Sequence, residues 1–216
     1  MNEIQSVAAK IPYMTCSGNH EKHHNFSHYD ARFSMLGDRN HPNVNKSIKD
    51  RLNNHYYSLD IGPAHIVVIS TEFYYFYTSY GWESIDYQYN WLKNDLENAN
   101  KNRDKTPWII VMGHRPFYTV KKCEEPECDA QNYERPAIRQ GVILNNHTHK
   151  KQYGLEKLFY DMGVDIYIAG HEHLYARLLP VYNFTLKSGK QDNNPYHDAL
   201  SPIHIITGSA VSFVLF

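Results

Sequence analysis

No run in this 216-residue chain approaches the roughly 20 apolar residues that a membrane-spanning helix needs. The stretch from Ala210 to Phe216 is apolar but far too short. Met1-Asn2-Glu3 does not open a basic region followed by an apolar one, so no signal peptide is visible. Excess charge of one sign is missing too: the net charge is −1 with histidine neutral. That excludes the electrostatic footprint of a nucleic-acid binder or of a protein held on an anionic membrane. Cysteine is scarce, with three in all. Cys123 and Cys128 sit close together in a polar loop, and a soft metal site there would need two more such ligands when only Cys16 remains. A local disulfide is the better reading if the protein is secreted. There is no internal repeat and no low-complexity segment.

The hydrophobic share of 42% is enough for a core, and the length suits one domain or slightly more. Fourteen histidines stand out. Protonated in acid, they would make the chain strongly cationic, although those between His20 and His28 read mainly as loop surface. Four N-glycosylation sequons occur, at Asn25, Asn45, Asn146 and Asn183. In an asparagine-rich chain they only suggest a glycoprotein.

One local pattern occurs three times. Val164 to His173 reads V-D-I-Y-I-A-G-H-E-H: a buried strand, Gly170 with its access to unusual backbone angles, then His171 and His173. Tyr13 to His20 reads Y-M-T-C-S-G-N-H, a short strand that delivers Asn19 and His20 after Gly18. Trp108 to His114 reads W-I-I-V-M-G-H, with His114 after Gly113. A single histidine at a strand end is usually a loop residue with a satisfied hydrogen bond. Three such endings point to one nitrogen- and oxygen-rich metal site built from three strand tips, in the crevice where open α/β sheets keep their sites.

The remaining elements follow from periodicity. Ile11–Cys16 is expected as a strand, and Tyr56–Leu59 with His65–Thr71 as a hairpin across Gly62-Pro63. Phe73–Tyr80 reads as a packed tyrosine-rich loop, with a carbohydrate or nucleobase platform as the other reading. Ser84–Ala99 is the clearest helix, capped by Ser84 and striped by Ile85, Tyr89, Leu92 and Leu96. A long loop from Arg115 to Asn146 follows. Tyr153–Met162 is a helix leading at once into the strand Val164–Ala169. Tyr175–Val181 and His204–Thr207 are further strands. Helix followed by strand implies parallel packing and an α/β class.

The blocks G-N-H-E at 18–21, V-M-G-H at 111–114 and G-H-E-H at 170–173 resemble three of the five motif blocks of purple acid phosphatases, within the calcineurin-like metallophosphoesterases. The text around them, such as N-F-S-H-Y-D-A-R-F-S-M at 25–35 and P-W-I-I-V-M-G-H-R-P at 107–116, resembles the animal-type iron/zinc branch. The similarity runs from about Ile4 to Ala210.

The resemblance implies an α/β protein with a calcineurin-like metallophosphoesterase β-sandwich flanked by helices, present in part. It implies a partial metallophosphoesterase domain over 1–182 and the start of a C-terminal segment over 183–216. It further implies a metal-dependent acid phosphatase that hydrolyses phosphomonoesters at a binuclear site of iron with zinc or manganese. Carried over residue by residue, Asn19, His114 and His171 match ligands of the divalent metal and His173 a ligand of the ferric ion. His20 matches a histidine that holds the phosphate or the nucleophile. Glu21 and Glu172 either orient imidazoles or face solvent. A secretory or lysosomal location is implied as well, and a homodimer is compatible with it.

The departures carry equal weight. The family's first two blocks, with their aspartates and tyrosinate, would precede Gly18 and are not among the 17 residues there. The expectation is therefore an incomplete chain, cut at both ends. No histidine falls between Thr119 and Gln140, where some family members place the leaving-group acid. His20, Glu134 and Arg115 are the remaining candidates for that role. Two other readings stand beside the acid phosphatase: a non-catalytic protein holding a single metal, and a phosphodiesterase on the same fold.

Overall fold

The computed structural model describes residues 2–35, 54–119, 136–143, 150–189 and 194–208. Asn45, Asn146, Cys123, Cys128 and Glu134 lie outside the described residues. In chain order the elements are α1 (Asn2–Ala8), a 3₁₀ turn (Asn19–Lys22), α2 (Ser27–Arg32), β1 (Tyr57–Ile61), β2 (Ala64–Val68), α3 (Phe73–Tyr80) and α4 (Glu83–Lys101). They continue with β3 (Trp108–Gly113), β4 (Gly141–Ile143), β5 (Lys151–Tyr153), α5 (Leu155–Asp161), β6 (Ile166–Ala169), β7 (Tyr175–Arg177), β8 (Val181–Tyr182), β9 (Thr185–Leu186) and β10 (Ile203–Thr207).

Six strands make one mixed sheet in the order β1-β2-β3-β6-β10-β7. The four central strands run parallel, and β1 and β7 close the edges antiparallel. Because β3 and β6 are parallel neighbours, both carboxyl ends emerge on the same side, with Gly113 paired to Ala169. The turns after these two strands therefore meet. This is the placement the strand-end pattern requires.

One face of the sheet is sealed. Val67, Ile109, Val111, Tyr167 and Ala169 are 0–2% exposed and pack in one core with Leu92 and Leu96 of α4 and Leu155 and Phe159 of α5, and Ile206 on β10 is fully buried too. Each fully buried Val, Ile, Leu or Phe side chain here contributes about 1.5–3 kcal/mol by leaving water. The expected α4 stripe lands on this face, with Ile85, Leu92 and Leu96 fully buried. The helix starts one residue before Ser84, with Trp82 at the N-cap and no side-chain cap. On the other face Met35, Tyr57 and Val68 form a smaller cluster with Cys16 and Phe33.

Three expectations need correction. Ile11–Cys16 is not a strand: β1 ends the sheet, and the Thr15 carbonyl accepts hydroxyl hydrogen bonds from Tyr29 (3.1 Å) and Tyr57 (2.8 Å) in place of a ladder. Phe73–Tyr80 is a helix, kinked at Phe76, and not a loop. Burial of Phe73 and Tyr74 outweighs the modest helix propensity of aromatic residues. The expected strand Tyr175–Val181 splits into β7 and β8 around Pro180, which has no N–H to give a ladder.

Candidate metal centre

The loops after β3 and β6 and the 3₁₀ turn bring their side chains to one point. His114 Nε2 lies 2.8 Å from Asn19 Oδ1 and 3.1 Å from His171 Nδ1. The two imidazole rings meet edge-on, with centroids 5.0 Å apart. The three residues are separated by 95 and 57 positions in sequence. The glycine-then-donor pattern of the sequence predicts this meeting, although only His114 and His171 follow strands.

The glycines beside them act through space more than through backbone angle. A Cβ on Gly18 would sit 2.9 Å from the His114 ring, so only glycine lets the Asn19 loop come this close. A Cβ on Gly113 would stand 2.8 Å from the Tyr167 hydroxyl and 3.0 Å from Thr71 Cγ2. The positive backbone angle expected at Gly170 falls one residue later, at His171, with φ 64°. A non-glycine residue in this region is uncommon, and histidine tolerates it better than most. Here it turns Nδ1 back towards His114. Backbone held off its preferred angles is a recurrent mark of functional sites.

His114 is neutral over the physiological range. Burial pushes its pKa down to about 4, helped by the positive charge of Arg115 and by His20 and His173 nearby. A neutral imidazole offers a lone pair to a metal without first shedding a proton. The donor set of one amide oxygen and two imidazole nitrogens suits a divalent ion such as zinc. Among the described residues no group of three or more His, Cys, Asp or Glu side chains is gathered to hold a metal; here the third donor is an amide.

The other expected residues occupy different places. His20 is exposed on the 3₁₀ turn beside Asn19, and His173 is exposed two residues beyond His171. The Glu21 carboxylate accepts the Gly18 backbone N–H at 2.9 Å, so it ties down the turn that carries Asn19. Glu172 is 5% exposed, which rules out the solvent-facing alternative for it. Arg115 points inward: its Nε lies 2.8 Å from Glu72 Oε1, and its guanidinium stacks over Tyr75 at 3.9 Å. Asn25 and Asn183 are exposed, and Asn183 sits at the tip of the β8–β9 hairpin. Cys16 is a free thiol that burial pushes up to about 11.

Sequence reading missed the residues that hold the ligand loops. Ser17, Ser70, Thr71 and Gln88 are fully buried polar side chains, hydrogen-bonded to one another and to the backbone of Arg115. No motif singles them out, since serine and threonine at a strand end are ordinary.

With this geometry, the comparisons with known proteins are specific. A family model for calcineurin-like phosphoesterases matches residues 1–175, and the chain belongs to that family. Within it, the chain is similar to acid phosphatase type 7 of Mus musculus, 46% identical over 210 residues, covering 97% of this chain and 42% of that protein. It is 45% identical over 212 residues to acid phosphatase type 7 of Danio rerio, covering 97% of this chain and 43% of that protein. Its fold matches a purple acid phosphatase, PPD1 from yellow lupin seeds, with a TM-score of 0.59 at 20% identity, over 96% of this chain and 33% of that one. The chain thus spans less than half the length of the curated relatives it matches. The α/β class and the metallophosphoesterase fold expected from the sequence hold. No helix among the described residues is long and apolar enough to cross a membrane.

Proposed function

We propose that this chain forms the metal- and phosphate-binding part of a metal-dependent acid phosphatase acting on phosphomonoesters. One observation carries the reading: Asn19 Oδ1 and His171 Nδ1 converge on His114 Nε2 within 3.1 Å. Asn19, His114 and His171 would hold a divalent ion, with His173 directed to a second metal; iron with zinc or manganese is the pair the family suggests. Bound metal would supply an activated water and neutralise charge on the phosphoryl oxygens.

The chain's own residues have separable roles. His20, exposed next to Asn19, would hold a phosphate oxygen or give a proton to the leaving group. Arg115, locked on Glu72, is a positioning residue and not a proton donor. Asn25, Asn45, Asn146 and Asn183 as glycan sites, a Cys123–Cys128 disulfide and a secreted or lysosomal location belong to the same reading.

The test is hydrolysis of p-nitrophenyl phosphate near pH 5 after loading with iron and zinc. His171→Ala should cost at least about 100-fold in turnover, because it removes a ligand and not a neighbour. Turnover unchanged in that variant would overturn the assignment. The donors that meet here serve one ion, and this favours a second reading. Zinc bound without turnover would select it, a single-metal protein that does no chemistry.

A further inference from the structure

Two ligand-bearing loops are tied to the same dipeptide. Ser17 is fully buried one residue before Gly18, and its hydroxyl donates to Ser70 Oγ at 3.1 Å. The backbone N–H of Arg115, the residue after His114, donates to Thr71 Oγ1 at 3.0 Å. Ser70 and Thr71 lie one residue beyond β2, after Ile69, and both are fully buried. Gln88 of α4 clamps the Ser70 backbone from both sides: the Ser70 N–H donates to Oε1 at 2.7 Å and Nε2 donates to the Ser70 carbonyl at 2.9 Å. The dipeptide is therefore fixed to the long helix independently of the two loops.

A second set of contacts braces the Asn19 side. His55 is 2% exposed, with Nδ1 3.1 Å from Ser17 Oγ and Nε2 3.0 Å from Asp30 Oδ1. Serine, histidine and aspartate in this order look like a hydrolase triad. Ser17 cannot act as a nucleophile, because no substrate reaches a side chain with 0% exposure. The arrangement serves to hold the hydroxyl in one orientation.

We infer that Ser70–Thr71 is the positioning element of the metal centre: through Ser17 it places Asn19, and through the Arg115 N–H it places His114. The inference rests on the metal-site reading above. Both anchors matter, because apart from the direct contact between their own side chains Asn19 and His114 come from parts of the chain 95 positions apart. A ligand pair held from one rigid point keeps its spacing when the metal leaves. Such preorganisation is what neighbours of ligands supply.

The test is zinc affinity of the full 216-residue chain, by competition with a chromophoric chelator, alongside thermal unfolding of each variant. Thr71→Val keeps the side-chain shape and removes the acceptor; Ser17→Ala removes the other tie. Each should weaken zinc binding by about 10-fold, while Thr71→Ser, which keeps the hydroxyl, stays within about threefold of wild type. Ser17→Ala carries the test if Thr71→Val does not fold. Folded variants of both kinds with wild-type affinity would overturn the inference. Equal losses in Thr71→Ser and Thr71→Val would also overturn it, since packing would then be the cause. His171→Ala in the same titration separates the two levels. If it binds zinc like wild type, the metal site itself is wrong. If it loses zinc while Thr71→Val and Ser17→Ala keep it, only the anchor falls.

Discussion

His114 and His204 are both imidazoles beside a parallel sheet, and both are held neutral by burial. His114 is pushed down to about 4 and His204 to about 3. Their surroundings differ completely. His114 stands at the carboxyl end of β3, and its Nε2 faces an amide oxygen and another imidazole. His204 stands inside β10, ringed by Phe117, Tyr118 and Tyr167 with centroids 5.0–5.9 Å away. Its Nδ1 is buried with no hydrogen-bond partner among the described residues. Burial alone therefore does not make a ligand. What decides is whether the lone pair meets a second donor at a strand end or a wall of aromatic carbon.

His204 gives the largest expected effect. Its folded pKa lies below the unfolded value of about 6.5, so the unfolded chain binds the extra proton. Stability is complete above about pH 6.5 and falls as pH drops towards 3, by about 1.4 kcal/mol per pH unit through that window. His204→Phe should flatten this acid limb in urea titrations at several pH values. An unchanged acid limb would show that another group controls it.

Gly18→Ala sharpens the other side of the comparison. The added methyl would press on the His114 ring at 2.9 Å. Zinc affinity should drop by about 10-fold or more with little change in melting temperature. A variant that binds zinc normally would mean that the ring has room to move.

The smallest effect concerns His65, whose surroundings oppose those of His204. Its Nδ1 is 2.7 Å from Asp60 Oδ1 and its Nε2 is 3.0 Å from Asp95 Oδ2, joining the β1–β2 hairpin to α4. Asp95 above all, and Asp60, hold its pKa above the ordinary value. The stabilisation is therefore complete below about pH 6.5 and is lost as pH rises through the raised pKa. His65→Gln should cost about 1 kcal/mol or less near pH 6, because Asp60 is partly exposed, and almost nothing in alkali. Equal losses at both pH values would remove the charge from the explanation.

These contrasts mark what was legible in the sequence. The α4 stripe and the β3 and β6 strands could be read because apolar periodicity reports burial directly. His114 and His171 could be read because each follows a glycine at a strand end, and Asn19 because the same glycine-then-donor pattern recurs at Gly18, although no strand precedes it. The helix at Phe73–Tyr80 could not, since its aromatics gain from tertiary contacts that no local pattern encodes. Ile11–Cys16 has strand-forming residues but no ladder, and a strand exists only with a partner. Arg115 looked available because its mate, Glu72, is 43 residues away. The Ser70–Thr71 anchor was invisible for the same reason: two small hydroxyl residues acquire a role only when two distant loops settle on them.

The central claim is that Asn19, His114 and His171 hold one divalent ion. The direct measurement is a zinc titration of the wild-type chain and of Asn19→Ala, His114→Ala and His171→Ala, with metal content read after gel filtration. The account predicts that these side chains share a zinc ion in the wild type, and that each substitution weakens that binding by about 100-fold while the fold persists. Zinc held with wild-type affinity by any one of the three variants would contradict it.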